Sequence, residues 1–300
     1  MKTAVALLVL MIAAARPVVA QMPPGGGELP PIEVQKLRPN LFLVTGAHAN
    51  TVVFVRSKDV VVIDTKGPRP WWGGAIAEEV KRLTKLPITT VINTSSSGSH
   101  VGGNPAFANG KIEIVAHEYA PADMRFMKLM FPKPTGGGLP TRTFKDRLTV
   151  GAGADRLELY YFGPTTNRSS IFIVIPALRV MLTGVAFADK TLPALTRPTG
   201  GNGVEFPNTL TKALPLTRDV DMIITGHSGV AKPQDLEVHR DFMRDFLEST
   251  RQARKSGKTP AAAAKAWKVP ARYFGYEAQP ATVLGAIESI YRQLASIEGP

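Results

Sequence analysis

The sequence predicts a mixed α/β fold, a four-layer αββα sandwich with extra helices toward its C-terminal end. Three observations carry this prediction. Short β-branched runs cluster in two halves of the chain, each cluster a meander joined to a helix, and residues 234–297 carry helical spacing. The composition agrees: 300 residues with 44% hydrophobic and 20% charged are enough to bury the core of one large or two small domains.

In the first half, residues 32–37, 41–45, 51–55 and 60–64 read as four short strands, broken by Pro39-Asn40, Gly46 and Ser57-Lys58-Asp59. Such breaks predict an antiparallel meander. Residues 71–86 place Trp72, Ile76, Val80 and Leu83 at helical spacing, and a strand at 88–93 follows. That strand runs into Thr94-Ser95-Ser96-Ser97-Gly98-Ser99-His100-Val101-Gly102-Gly103-Asn104, a small, polar, glycine-marked loop of the kind that carries function at a sheet edge.

Beyond the loop come a short segment at 104–109, a strand at 112–117 and a helix beginning near Pro121. Residues 132–140 form an irregular loop. It follows Met124, Phe126, Met127, Met130 and Phe131, which make either a helix face packed on the core or a mobile flap over a cleft. The second half repeats the first, with strands at 148–150, 157–162, 171–175 and 180–182, a helix near 208–214 and a strand at 222–225 ending in Gly226-His227. Gly200-Gly201-Asn202-Gly203 is a loop rather than a phosphate cradle, because no strand directly precedes it and no Lys-Ser/Thr follows. Helices are expected at 234–256, 260–267 and 281–297, with Thr259-Pro260 and Gln279-Pro280 as starts.

Residues 1–20 read as a cleavable export signal: Lys2, an apolar stretch from Ala4 to Ala15, then Val18-Val19-Ala20 before Gln21. Residues 21–31 read as a flexible linker. After cleavage no apolar run of spanning length remains, so no membrane span is expected, and the location is periplasmic or secreted. The chain has no cysteine, which excludes disulfides, thiolate metal ligands and cysteine nucleophiles. Its formal charge of +12 is spread along the chain, and the densest basic run, 251–258, contains no aromatic residue. This is a solvated helix end, and no nucleic acid partner is expected.

The frame Asn93-Thr94-x-x-x-Gly98-x-His100-x-Gly102-Gly103-Asn104 stands with Val61-Val62-Ile63-Asp64-Thr65, Tyr161-Phe162-Gly163-Pro164, Thr183-Gly184 and Thr225-Gly226-His227-Ser228. In order and spacing these resemble the metallo-β-lactamase superfamily over residues 41–230. The resemblance implies the αββα sandwich, a superfamily domain at 32–232 with a helical extension at 233–300 packed on it, and an active site at one rim of the paired sheets.

It also implies a set of metal ligands, and there the chain departs from the family. Where the family's loop reads His-x-His-x-Asp-His, this chain has Ser95, Ser97, Ser99 and His100. A later family histidine falls on Thr166, the bridging aspartate on Val185, and the last histidine on His227. Hydroxyls are poor zinc donors near neutral pH and valine is none. One metal position, at Ser95, Ser97 and Thr166, is therefore lost, and the other retains His100 and His227, a pair that holds metal weakly if at all. No cofactor is expected, with zinc as the alternative.

Three functional readings follow. The first is an exported protein of this fold without catalysis, binding an unknown small molecule or protein. The second is a metal-dependent hydrolase with atypical ligands, acting on an ester, thioester, lactone or β-lactam bond. The third is a metal-free hydrolase with Ser95, Ser97 or Ser99 as nucleophile, His100 as base and Asp64 as orienter; no Gly-x-Ser-x-Gly elbow accompanies it. Otherwise Asp64 pins the serine-rich loop by hydrogen bonding. His48 lies in a turn near the rim, while His117 and His239 read as structural.

Overall fold

The computed structural model describes residues 32–46, 48–67, 71–126, 138–195 and 197–298. The expected export signal, the linker and Met127, Met130 and Phe131 of the apolar cluster lie outside the described residues. Strands β1 (Glu33–Arg38), β2 (Leu41–Thr45), β3 (Thr51–Val55) and β4 (Val60–Ile63) pair as the antiparallel meander. Helix α1 (Trp71–Leu83) carries the chain back, so that β5 (Ile88–Ile92) lies parallel to β4. A single turn, α2 (Gly98–Val101), sits inside what the sequence presents as a loop. Then β6 (Glu113–His117), α3 (Ala120–Phe126) and β7 (Arg142–Phe144) complete a seven-stranded sheet in chain order.

The second sheet holds β8 (Arg147–Val150), β9 (Leu157–Tyr160), β10 (Phe172–Ile175) and β11 (Val180–Gly184), all antiparallel. Helix α4 (Phe206–Ala213) precedes β12 (Met222–Thr225), which joins parallel to β11, and β13 (Val230–Ala231) forms the edge. Helices α5 (Pro233–Lys255), α6 (Pro260–Ala266) and α7 (Pro280–Glu298) follow, each starting on a proline whose missing N–H costs nothing in a first helical turn. No described helix is long and apolar enough to cross a membrane.

Strand periodicity builds the layers. In β4, Val61 and Ile63 face the second sheet while Val60 and Val62 face α1. Three cores result. Trp72, Ile76 and Val80 of α1 pack on Val60, Val62 and Val91. Between the sheets, Leu43, Val52, Phe54 and Ile63 meet Leu159, Ile173, Leu182 and Ile224. On the outer face of the second sheet, Phe172, Met181 and Ile223 pack with Phe206, Phe242, Phe246, Ile287 and Ile290 from α4, α5 and α7. The chain is thus helix, sheet, sheet, helix. His239 of α5 is enclosed by Phe187, Phe242 and Tyr276, and burial pushes its ring down to about 3, so it stays neutral inside this core. Met124 packs with Val101, Ala116 and Ala120, whereas Phe126 at the end of α3 is 64% exposed.

Candidate functional site

The ends of β4, β5, β11 and β12 meet at one rim, where Asp64, Thr94, Gly184 and Gly226 line a common space. Asp64 follows β4 with φ +58°, a left-handed conformation that a non-glycine residue keeps only when its surroundings hold it. Here they do. Its N–H donates to the Ile92 carbonyl at 2.8 Å, its Oδ1 accepts from the Thr94 N–H at 2.7 Å, and its Oδ2 accepts from the Thr94 hydroxyl at 2.6 Å. His100 Nδ1 lies 2.6 Å from the same Oδ2. A carboxylate only accepts, so Nδ1 carries a proton and donates it to Asp64. His227 Nε2 stands 3.2 Å from His100 Nε2.

His227 sits on the turn after β12, with its N–H on the Ala188 carbonyl at 2.9 Å. His227 is exposed as a residue. Even so, desolvation of the ring, and then the adjacent His100 ring, push it down to about 4, so it is neutral at pH 7.

Main-chain contacts lay out the serine-rich loop. A Cβ on Gly103 would collide with the Thr65 carbonyl and stand 2.7 Å from the Gly73 nitrogen, so α1 and the loop touch backbone to backbone. Gly184, at φ +49°, faces Thr94 so closely that a Cβ would strike its hydroxyl. The side-chain amides of Asn93 and Asn104 exchange hydrogen bonds of 2.8 and 3.1 Å, and the Thr65 hydroxyl donates to Asn104 Oδ1 at 2.8 Å.

The serines turn to each other rather than to His100. Ser95 is fully buried and its hydroxyl accepts from the Ser97 N–H at 3.2 Å; the Ser97 and Ser99 hydroxyls lie 3.2 Å apart. The Thr94 hydroxyl lies 3.4 Å from His100 Nδ1. Thr166 and Val185 are each 7% exposed. His117 stacks on Tyr161 with centroids 3.8 Å apart and bonds the Lys145 carbonyl, a structural placement.

Three features escaped sequence reasoning. Beside the serines, Ser96 and Ser169 share a 2.8 Å hydroxyl bond, and the buried Asp123 carboxylate takes the Arg168 Nε and Nη2 at 2.9 and 2.7 Å. Burial raises the Asp123 carboxyl while Arg168 opposes it. Lys66 is fully buried, its Nζ donating to the carbonyls of Val44, Gly46 and Ala49 at 2.9, 2.6 and 2.9 Å, and burial pulls its ammonium down to about 7. The same β2–β3 loop carries the exposed His48 and then Asn50, whose N–H and Nδ2 donate to Gly226 and Thr225 carbonyls at 2.8 and 2.9 Å. A lysine directly after Asp64-Thr65 was the one available signal.

With this geometry, the family model described as the metallo-beta-lactamase superfamily matches residues 44–227. The chain belongs to that superfamily. It is 22% identical over 234 residues to a metallo-beta-lactamase type 2 of Elizabethkingia meningoseptica, spanning 74% of this chain and 89% of the relative. Among solved structures, the sec-alkylsulfatase Pisa1 of Pseudomonas sp. superimposes with a TM-score of 0.73 at 17% identity, covering 90% of this chain and 52% of that one. A metallo-beta-lactamase from Pontibacter korlensis gives a TM-score of 0.61 at 16% identity, covering 71% and 99%. The chain thus spans about half the length of the alkylsulfatase.

Superfamily membership implies zinc, and a catalytic zinc site takes three protein ligands plus a water. Among the described residues, no three His, Cys, Asp or Glu side chains gather to hold an ion. His100 and His227 face each other, His100 already tied to the Asp64 carboxylate, and the serine-rich loop adds hydroxyls. This donor set does not fit a zinc centre.

Proposed function

We propose that this chain is an exported superfamily member that binds a ligand at the rim instead of hydrolysing one with zinc. The donor set carries the reading: His100 Nε2 and His227 Nε2 stand 3.2 Å apart, and no third His, Cys, Asp or Glu joins them to make a metal-holding group among the described residues. The partly exposed hydroxyls of Ser97 and Ser99 and the exposed His48 and His227 offer donors and acceptors to a small molecule or a protein surface. Metal analysis of protein purified without chelator is the test. No stoichiometric zinc is expected, and two tightly held ions per chain would overturn the reading. A ligand screen starts with alkyl sulfates and β-lactams, the compounds for which the similar proteins are named. The export part rests on residues 1–20 and is tested by whether the mature protein begins at Gln21.

A metal-dependent hydrolase with atypical ligands is the second reading. The same spacing supports it, since two Zn–N bonds of about 2.0–2.1 Å bring imidazole nitrogens to a comparable separation. Zinc content separates the two. For the serine hydrolase, Asp64 and His100 are in contact as orienter and base, but the Ser97 and Ser99 hydroxyls face each other and Ser95 Oγ accepts from the Ser97 N–H; labelling of Ser95, Ser97 or Ser99 by a fluorophosphonate would favour it.

A further inference from the structure

Behind the Asp64–His100–His227 chain, between the two sheets, lies a cavity of about 10 Å³ whose walls include Asn50, Val52, Asp64, Thr94, Gly184 and Ile224. That is close to the space one water needs. Asn50 is 5% exposed, and its N–H and Nδ2 are committed to the Gly226 and Thr225 carbonyls, which settles the orientation of its amide. Its Oδ1 has no partner among the described residues. A buried amide oxygen without a donor carries an uncompensated desolvation cost. On the same cavity, Asp64 Oδ1 accepts from the Thr94 N–H, and a carboxylate oxygen has room for a second donor.

Two acceptors around a space for one molecule ask for a guest with two donors. We propose that this cavity holds one structural water, donating one hydrogen to Asn50 Oδ1 and the other to the Asp64 carboxylate. Val52, Ile63, Leu182 and Ile224 give apolar wall, and Thr225 and Gly226, which complete it, already have their carbonyls committed to Asn50. The water extends the hydrogen-bond chain from His227 through His100 and Asp64 to Asn50, directly before β3. It is independent of whether the rim binds zinc.

The test pairs a count of long-lived waters by oxygen-17 and deuteron magnetic relaxation dispersion with the variant Val52→Ile, which adds one methylene to the wall. With the water present, the variant shows one long-lived water fewer, and its unfolding equilibrium shifts roughly tenfold toward the unfolded state as Asn50 Oδ1 loses its donor. An unchanged water count overturns the proposal, whether stability rises because a dry void was filled or falls because the core was overpacked. Should the variant fail to fold, a high-resolution crystal structure of the full chain decides. Density within hydrogen-bond distance of both Asn50 Oδ1 and Asp64 supports the water, and an empty cavity removes it.

Discussion

The two sides of the rim solve the same problem with different chemistry. On one side, next to Ser95 and Ser97, Ser96, Ser169, Asp123 and Arg168 form a network that is neutral apart from one ion pair. On the other, a buried carboxylate is held by three donors from Thr94 and His100, and His100 passes the chain on to His227. Charge-assisted hydrogen bonds are roughly twice as strong as neutral ones. The comparison teaches that stability at the rim is concentrated on the imidazole side, while the hydroxyl side fills space and satisfies its own polar groups.

The largest expected effect tests that ranking directly. Asp64→Ala strands the Thr94 N–H, the Thr94 hydroxyl and His100 Nδ1 in the interior, and puts alanine at φ +58°. A loss of about 3 kcal/mol in urea unfolding is expected. If Ser169→Ala, which removes only the neutral bonds of one hydroxyl to Ser96 Oγ, the Ser96 N–H and Asn167 Oδ1, cost as much, the ranking would be wrong.

Arg168→Met is expected to cost about 1–2 kcal/mol, less than a fully buried pair, because the Arg168 side chain is 42% exposed and the pair is screened by solvent. Its pH dependence has a definite sign. Burial already holds the Asp123 carboxyl above its usual range, and removing Arg168 raises it further. A folded-state pKa above the unfolded one means that the native state binds the proton more readily. The deficit is therefore full at neutral pH and shrinks as pH falls through the acidic range. A deficit that stays constant with pH would remove Asp123 from the account.

His227→Ala is the smallest, under about 1 kcal/mol, since it deletes a single side-chain contact of an exposed residue. The Nδ1 proton signal of His100 should persist in the variant. Its disappearance, or a loss matching that of Asp64→Ala, would show the two imidazoles to be one unit.

Much of this was legible before any coordinates. Runs such as Val60–Ile63 declared their strands, and Pro260 and Pro280 declared their helices, because the local preference and the final structure agree there. Strands β7 and β13, three and two residues long, show no period and were missed. At the rim, the glycine frame marked Asp64, His100 and His227 as neighbours of one site. Their mutual bonding was not readable, since 127 residues separate His100 from His227 and only the packing of the two sheets brings them together. Arg168 and Asp123, Lys66, and Asn50 follow no spacing rule: each finds its partner through tertiary packing.

The contact between Gly73 and Gly103 has a consequence for how such a rim can change. It is made by main-chain atoms, and none of Ser95, Ser97 or Ser99 takes part. A loop held at this point by a close approach of two glycines does not rely there on the serine side chains it displays, as a rail is indifferent to what hangs from it. Histidines, serines or a designed recognition sequence can ride the same course. The scaffold persists while its cargo is exchanged, and the path by which one function gives way to another need not pass through an unfolded protein.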